Sequence, residues 1–216
     1  MTMTRFTERP LSRLARFGRR EDGVAAIEFA FIAPLLVVFL LGTTTATQSL
    51  WAHGKVAQAG SVIGDLVTQE TDLDDATLLT IMKAAPILIE PFPVGNMTIK
   101  ITAAIACHKD PEDTEGKTPK IFVVWSNGWK KKGLTNRGQR PGARMKDAPK
   151  SLSIQDGDYI VKTEVKYTYS PSISQKAGHE IEMVETAYHQ PRSAKPISYP
   201  SREGSEQQTC KELMDR

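Results

Sequence analysis

Gly23-Val24-Ala25-Ala26-Ile27-Glu28-Phe29-Ala30-Phe31-Ile32-Ala33-Pro34-Leu35-Leu36-Val37-Val38 begins an apolar run that continues through Ala46 and holds one carboxylate, Glu28. As a helix rising about 1.5 Å per residue, residues 24–46 measure roughly 34 Å, enough to cross a hydrocarbon core of about 30 Å. No Lys, Arg or Asp interrupts the run. Glu28 is the exception, because a charged side chain at the centre of a membrane helix costs on the order of 2.5–3.5 kcal/mol and commonly marks function. Pro34 lacks an amide hydrogen and crowds the carbonyl of Ala30, so the pattern predicts a kink that a membrane helix tolerates.

On the N-terminal side, Arg5, Arg9, Arg13, Arg16, Arg19 and Arg20 outnumber Glu8, Glu21 and Asp22. A basic flank of this kind stays on the cytoplasmic side while the rest of the chain crosses. Leu11, Leu14, Ala15 and Phe17 interleave with the arginines, which suits either a short amphipathic helix on the inner leaflet or a solvated basic leader. On the other side, Thr43, Thr44, Thr45, Gln48 and Trp51 place the outer membrane interface near residues 46–52.

Three processing outcomes fit these residues. An uncut signal anchor needs only the run and its basic flank, and leaves Glu28 to snorkel toward headgroups. A secretory signal would be cut at Thr47, after the small residues Thr44 and Ala46. Cleavage after Gly23 would instead make Val24 a new N-terminus with Glu28 one turn along. The glycine leaves a peptidase unobstructed access to the backbone. Glu28 then has a cationic partner in the Val24 amine, its own or a neighbouring subunit's, which offsets its desolvation.

Gly23-Val24-Ala25-Ala26-Ile27-Glu28-Phe29-Ala30, followed by Pro34 and a Leu/Val run, resembles the type IV prepilin signal. More closely, it is similar to the start of TadE-like minor pseudopilins of the tight-adherence (Flp pilus) system. The likeness is dense over about 25 residues and thin beyond them. It implies cutting after Gly23 by a prepilin-type peptidase, retention of the apolar segment, and partnership with other pilin and pseudopilin subunits and the Tad secretion and assembly machinery. Two departures from the major Flp pilins favour a minor subunit: the chain is far longer than a helix, and Phe29 stands where they usually carry Tyr. Ala187-Tyr188-His189-Gln190-Pro191-Arg192 loosely resembles the Pro-Arg ending of the last strand in such proteins.

Beyond the membrane run, Val56, Ala59, Ile63, Leu66 and Val67 keep helical spacing, so the first helix is expected to reach about Thr68. A second is expected from Thr71 or Asp72 to near Pro86, with Leu73, Leu79, Met82 and Ala85 on one face. The period then changes to two. Met97, Ile99, Ile101, Ala103, Ile105 and Cys107 alternate as a half-buried strand, Lys120 to Ser126 form a second, and Tyr159 to Tyr169 a third. A shorter fourth spans Glu180 to Tyr188. Consecutive strands without intervening helices give an α+β class: a long N-terminal helix with a pilin-like antiparallel sheet. The expected divisions are a leader at 1–23, the span at 24–46, an exported domain at 47–192 and a polar tail at 193–216, mobile apart from Cys210.

Within the exported domain, residues 127–152 read as a long loop rich in base. Lys130, Lys131, Lys132, Arg137, Arg140 and Arg144 could hold an anionic surface through charge. No aromatic residue interleaves the run itself, so nucleic acid is a poor fit and a solvated insertion is the plainer reading. His53, His108, His179 and His189 follow no ligand spacing, so no metal or other cofactor is expected. No nucleophile motif appears, so neither catalysis nor a small-molecule substrate is expected. The net charge of +3 names no partner. Cys107 and Cys210 both follow the membrane run, and export to an oxidising compartment would pair them; otherwise both remain free. The chain is thus expected to be a single-pass inner-membrane protein with its C-terminal domain outside the cytoplasm, a component or assembly factor of an adhesive pilus. The main alternative is a secreted or signal-anchored protein that binds anionic surfaces through the basic loop.

Overall fold

The structure, a computed structural model, describes residues 22–107, 119–130, 133–135, 138–145, 154–171, 180–193, 197–199 and 210–214. The leader residues 1–21 and the residues His108, His179, Lys131, Lys132 and Arg137 lie outside these. Helix α1 runs through Asp22–Gln69 and passes Pro34 without interruption. It contributes to two compact units, residues 1–47 and 48–216.

The first unit is the apolar part of α1. The second is an α+β domain whose spine is the remainder of that helix. Short helices α2 (Asp75–Met82) and α3 (Ala84–Ile89) follow. Strands β1 (Met97–Cys107), β2 (Lys120–Lys130), β3 (Gly133–Thr135), β4 (Arg144–Met145), β5 (Tyr159–Tyr169) and β6 (Ile181–His189) come next, and helix α4 (Cys210–Met214) closes the domain. The sheet order is β3-β2-β1-β5-β6, with β4 also on β2. The pairings are antiparallel throughout.

The alternation along β1 sends Met97, Ile99, Ile101 and Ala103 to one face. There they form the main core with Val161, Val165 and Tyr167 of β5 and with Ala52, Val56, Ala59, Ile63 and Val67 of α1. Fully burying a side chain such as Ile63 contributes about 1.5–3 kcal/mol. The expectation of a half-buried β1 holds for its first half only. From Ile101 onward both faces are covered, because Ala104 and Ala106 pack with Ile121, Val123, Met145, Ile154 and Ile160 in a second, smaller core.

Three elements differ from the sequence-based outline. The expected helix ending near Pro86 is two helices that meet at Lys83. Asp74 caps α2 by accepting from the Thr77 amide at 2.7 Å, and Pro86 sits in the first turn of α3, where a missing amide hydrogen costs nothing. Leu78, rather than Leu79, takes the fully buried place on α2, while Leu73 is buried ahead of the helix.

The basic loop expected at 127–152 is partly sheet. Asn127, Gly128, Trp129 and Lys130 continue β2, and two short strands add to its outer edge. Trp129 explains the extension, since it faces the main core opposite Ile99.

The tail, expected to be mobile apart from Cys210, is anchored at a second place as well. Ile197 and Tyr199 are buried, Tyr199 stacks on Trp125 with ring centroids 5.1 Å apart, and the Trp125 indole donates to the Ile197 carbonyl at 2.9 Å. Ser198 exchanges backbone hydrogen bonds with the segment before α2, at 2.8 Å to Leu73 and 3.0 Å to Thr71. Farther on, Leu213 of α4 is buried against Ile105 and Phe122, and Cys107 and Cys210 are joined as a disulfide.

Candidate functional site

Gly23, Val24, Glu28 and Phe29 occupy the first turns of α1 and are exposed. Val24 and Glu28, four residues apart, share a helix face about 6 Å along the axis. The apolar surface around them is uncovered: Phe29 is 66% exposed, Phe31 78% and Phe39 70%. An exposed hydrophobic surface of this extent marks contact with lipid or with another apolar surface. Among the described residues α1 is the one helix long and apolar enough to cross a membrane, and none of its apolar window is buried.

The threonines at the end of the run satisfy their own hydroxyls. Thr44 and Thr45 donate to the carbonyls of Leu40 and Leu41, each at 2.8 Å, and Thr47 donates to Thr43 at 2.9 Å. Back-bonded in this way, threonine extends the length of helix that an apolar medium accepts.

Farther along α1 the helix meets β5 and β6 closely. A side chain at Gly60 would press on Val165, and one at Gly64 would approach His189 Nδ1 to 2.5 Å and Thr163 Oγ1 to 2.9 Å. Neither of those two buried polar atoms has a hydrogen-bond partner among the described residues. Burial pushes the His189 imidazole below its ordinary pKa, and the carboxylate of Asp65 pulls only partly the other way. Asp65 accepts from Arg192 at 2.9 and 3.2 Å, which holds its carboxyl below the usual range. The Arg192 amide also donates to the Thr68 carbonyl at 3.2 Å. The Pro191-Arg192 ending thus ties the end of β6 to the end of α1. Neither residue of this clasp was identifiable as a partner from spacing, because 127 positions separate them.

Of the basic residues singled out from the sequence, Lys130, Arg140 and Arg144 are among the described residues. Lys130 ends β2 and Arg144 lies in β4, both exposed, while Arg140 precedes β4 in the chain. Lys130 lines a groove of about 490 Å³ on the sheet face opposite the main core, with Lys100, Glu164 and Lys166. Glu164 is the hub of that face, 3.3 Å from Lys100, 3.5 Å from Lys162 and 3.9 Å from Lys166. Burial raises its pKa, yet the three ammonium groups outweigh burial and hold it below the carboxylate norm. No group of His, Cys, Asp and Glu with metal-holding geometry occurs among the described residues.

Set beside known proteins, residues 23–62 match a family model described as TadE-like protein. Searches of curated proteins and of solved structures return no match. The matched stretch joins the uncovered part of α1 to most of its packed part, including Gly60.

Proposed function

We propose that this TadE-like protein of the Tad/Flp pilus system is a non-enzymatic minor pseudopilin that acts in assembly or capping of the fibre. A prepilin-type peptidase cuts after Gly23 on the cytoplasmic face, and the helix from Val24 stays in the inner membrane with the sheet domain outside the cytoplasm. Gly23 suits the cut because a glycine in the first turn is cheap to unwind into a peptidase cleft. The freed Val24 amine then pairs with Glu28, on its own helix or on a neighbour's, and Phe29 lies beside that pair in the packed bundle. The observation that carries this reading is the contrast within α1: a fully uncovered apolar segment carrying one acid, attached to a domain that needs none of it for its own core.

N-terminal sequencing of the mature protein tests the cut. A start at Val24 is expected, whereas a start at Thr47 would support a secreted protein, and an intact leader a plain anchor. For the pairing, Glu28→Ala is expected to leave cleavage intact and to reduce piliation about tenfold or more, the order of loss that follows from leaving a buried charge unpaired. Normal piliation in that variant would remove the role assigned to Glu28.

A further inference from the structure

Five large apolar side chains of the sheet domain are exposed among the described residues; Val184 stands apart on β6, opposite Lys166, and the other four are not scattered. Leu50, Trp51, Ile87 and Ile181, at 75%, 53%, 70% and 40% exposure, belong to distant parts of the chain, yet contacts link three of these segments at one end of the domain. Trp51 meets Phe92 edge-on at 5.4 Å, and Phe92 meets Tyr169 edge-on at 5.6 Å. The Tyr169 hydroxyl reaches Gln48 at 3.4 Å, and Tyr169 is the cross-strand neighbour of Ile181. Gln48 is where residues 1–47 join the domain.

The segment between α2 and β1 adds to this surface. Residues 84–94 read Ala-Ala-Pro-Ile-Leu-Ile-Glu-Pro-Phe-Pro-Val, with Glu90 as the only charge and Lys83 just before it. Ala85 and Ile89 point α3 into the core, so Ile87, two residues from each, faces out. Pro91 and Pro93 are exposed as well. An aqueous loop would carry polar residues here.

We infer that residues 84–94, together with Leu50, Trp51 and Ile181, form a foot by which the sheet domain rests on the outer face of the membrane. The inference rests on the reading of residues 24–46 as a membrane span, and continuity with that span chooses lipid as the occupant. The apolar surface begins where the chain leaves the bilayer, and the exposed ring of Trp51 is of the type that favours the headgroup level. Ile87 and the prolines enter the boundary between headgroups and acyl chains, and Lys83 stays with the phosphates. The domain is thereby held by two attachments instead of a single tether.

The test uses the full chain in vesicles of phosphatidylcholine and phosphatidylglycerol. A single added thiol is labelled with a polarity-sensitive fluorophore, since Cys107 and Cys210 are bonded to each other. Ile87→Cys reports on the foot, and Pro93→Cys repeats the measurement should the first variant fold poorly. Phe31→Cys reports on the span. Gln155→Cys reports on the opposite end of β5, roughly 35 Å from Tyr169 at about 3.3 Å per residue. Lipids carrying a quencher high on the acyl chain are expected to lower emission at least twofold at positions 87, 93 and 31, and to leave position 155 unchanged. Quenching at 31 with 87 and 93 as bright as 155 would overturn the foot and leave the span standing. No quenching at 31 would overturn both.

Discussion

Helix α1 carries two different surfaces on one backbone. From Val24 to Leu41 the apolar residues face every direction and are exposed, whereas from Ala52 to Val67 they form a buried stripe with small residues turned toward the sheet. Both parts belong to one continuous α-helix, so secondary structure does not distinguish them. The side-chain distribution does: a helix apolar all round requires an apolar medium, and a striped helix requires one packed partner. One element therefore presents an uncovered apolar surface in one part and forms a wall of the core in the other.

The sharpest way to break this comparison is to remove the same kind of volume from each part. Ile63→Ala empties a fully buried site and is expected to destabilise the sheet domain by about 2–5 kcal/mol, read as a lower near-ultraviolet circular dichroism midpoint of the full chain in detergent. A smaller loss, about 1–3 kcal/mol, is expected for Gly64→Ala, because the added methyl must displace the His189 ring and the Thr163 hydroxyl. If Gly64→Ala were silent, the close approach of helix and sheet would not be a constraint.

A pH titration comes next in size. The imidazole of His189 has a folded pKa below its ordinary value of 6.5, so the unfolded chain binds the proton more readily. Stability is therefore full above about pH 6.5 and declines as pH falls from there through the lower folded pKa. His189→Gln should flatten that decline relative to the parent, and an unchanged slope would assign it to other groups. Smallest of all, Leu36→Ala in the exposed part should shift the same unfolding midpoint by no more than about 0.5 kcal/mol equivalent. A drop matching that of Ile63→Ala would erase the distinction between the two surfaces.

Strict alternation made β1 and β5 legible to the residue, and the unbroken apolar run made the uncovered part of α1 legible. The break at Lys83 was harder to see, because Pro86 carries opposite meanings at the end of one helix and in the first turn of the next. The anchored tail was hidden by composition: Ile197 and Tyr199 are two apolar residues amid Pro, Ser and Lys, too few to show a period. Their burial depends on Trp125, a residue more than 70 positions away. The clasp between Asp65 and Arg192 has the same origin, since fold topology and not local pattern brings them together. By contrast, the candidate site at Gly23 to Phe29 is wholly local, and so the sequence alone displays it.

The disulfide also closes the sheet into a covalent ring. Cys107 ends the first strand and Cys210 follows all six, 103 positions farther on. The loop between the two sulfurs therefore carries β2 through β6 entire. A backbone cut anywhere inside that loop leaves the two pieces bonded to each other, so the parts of a nicked domain stay covalently joined until the bond is reduced.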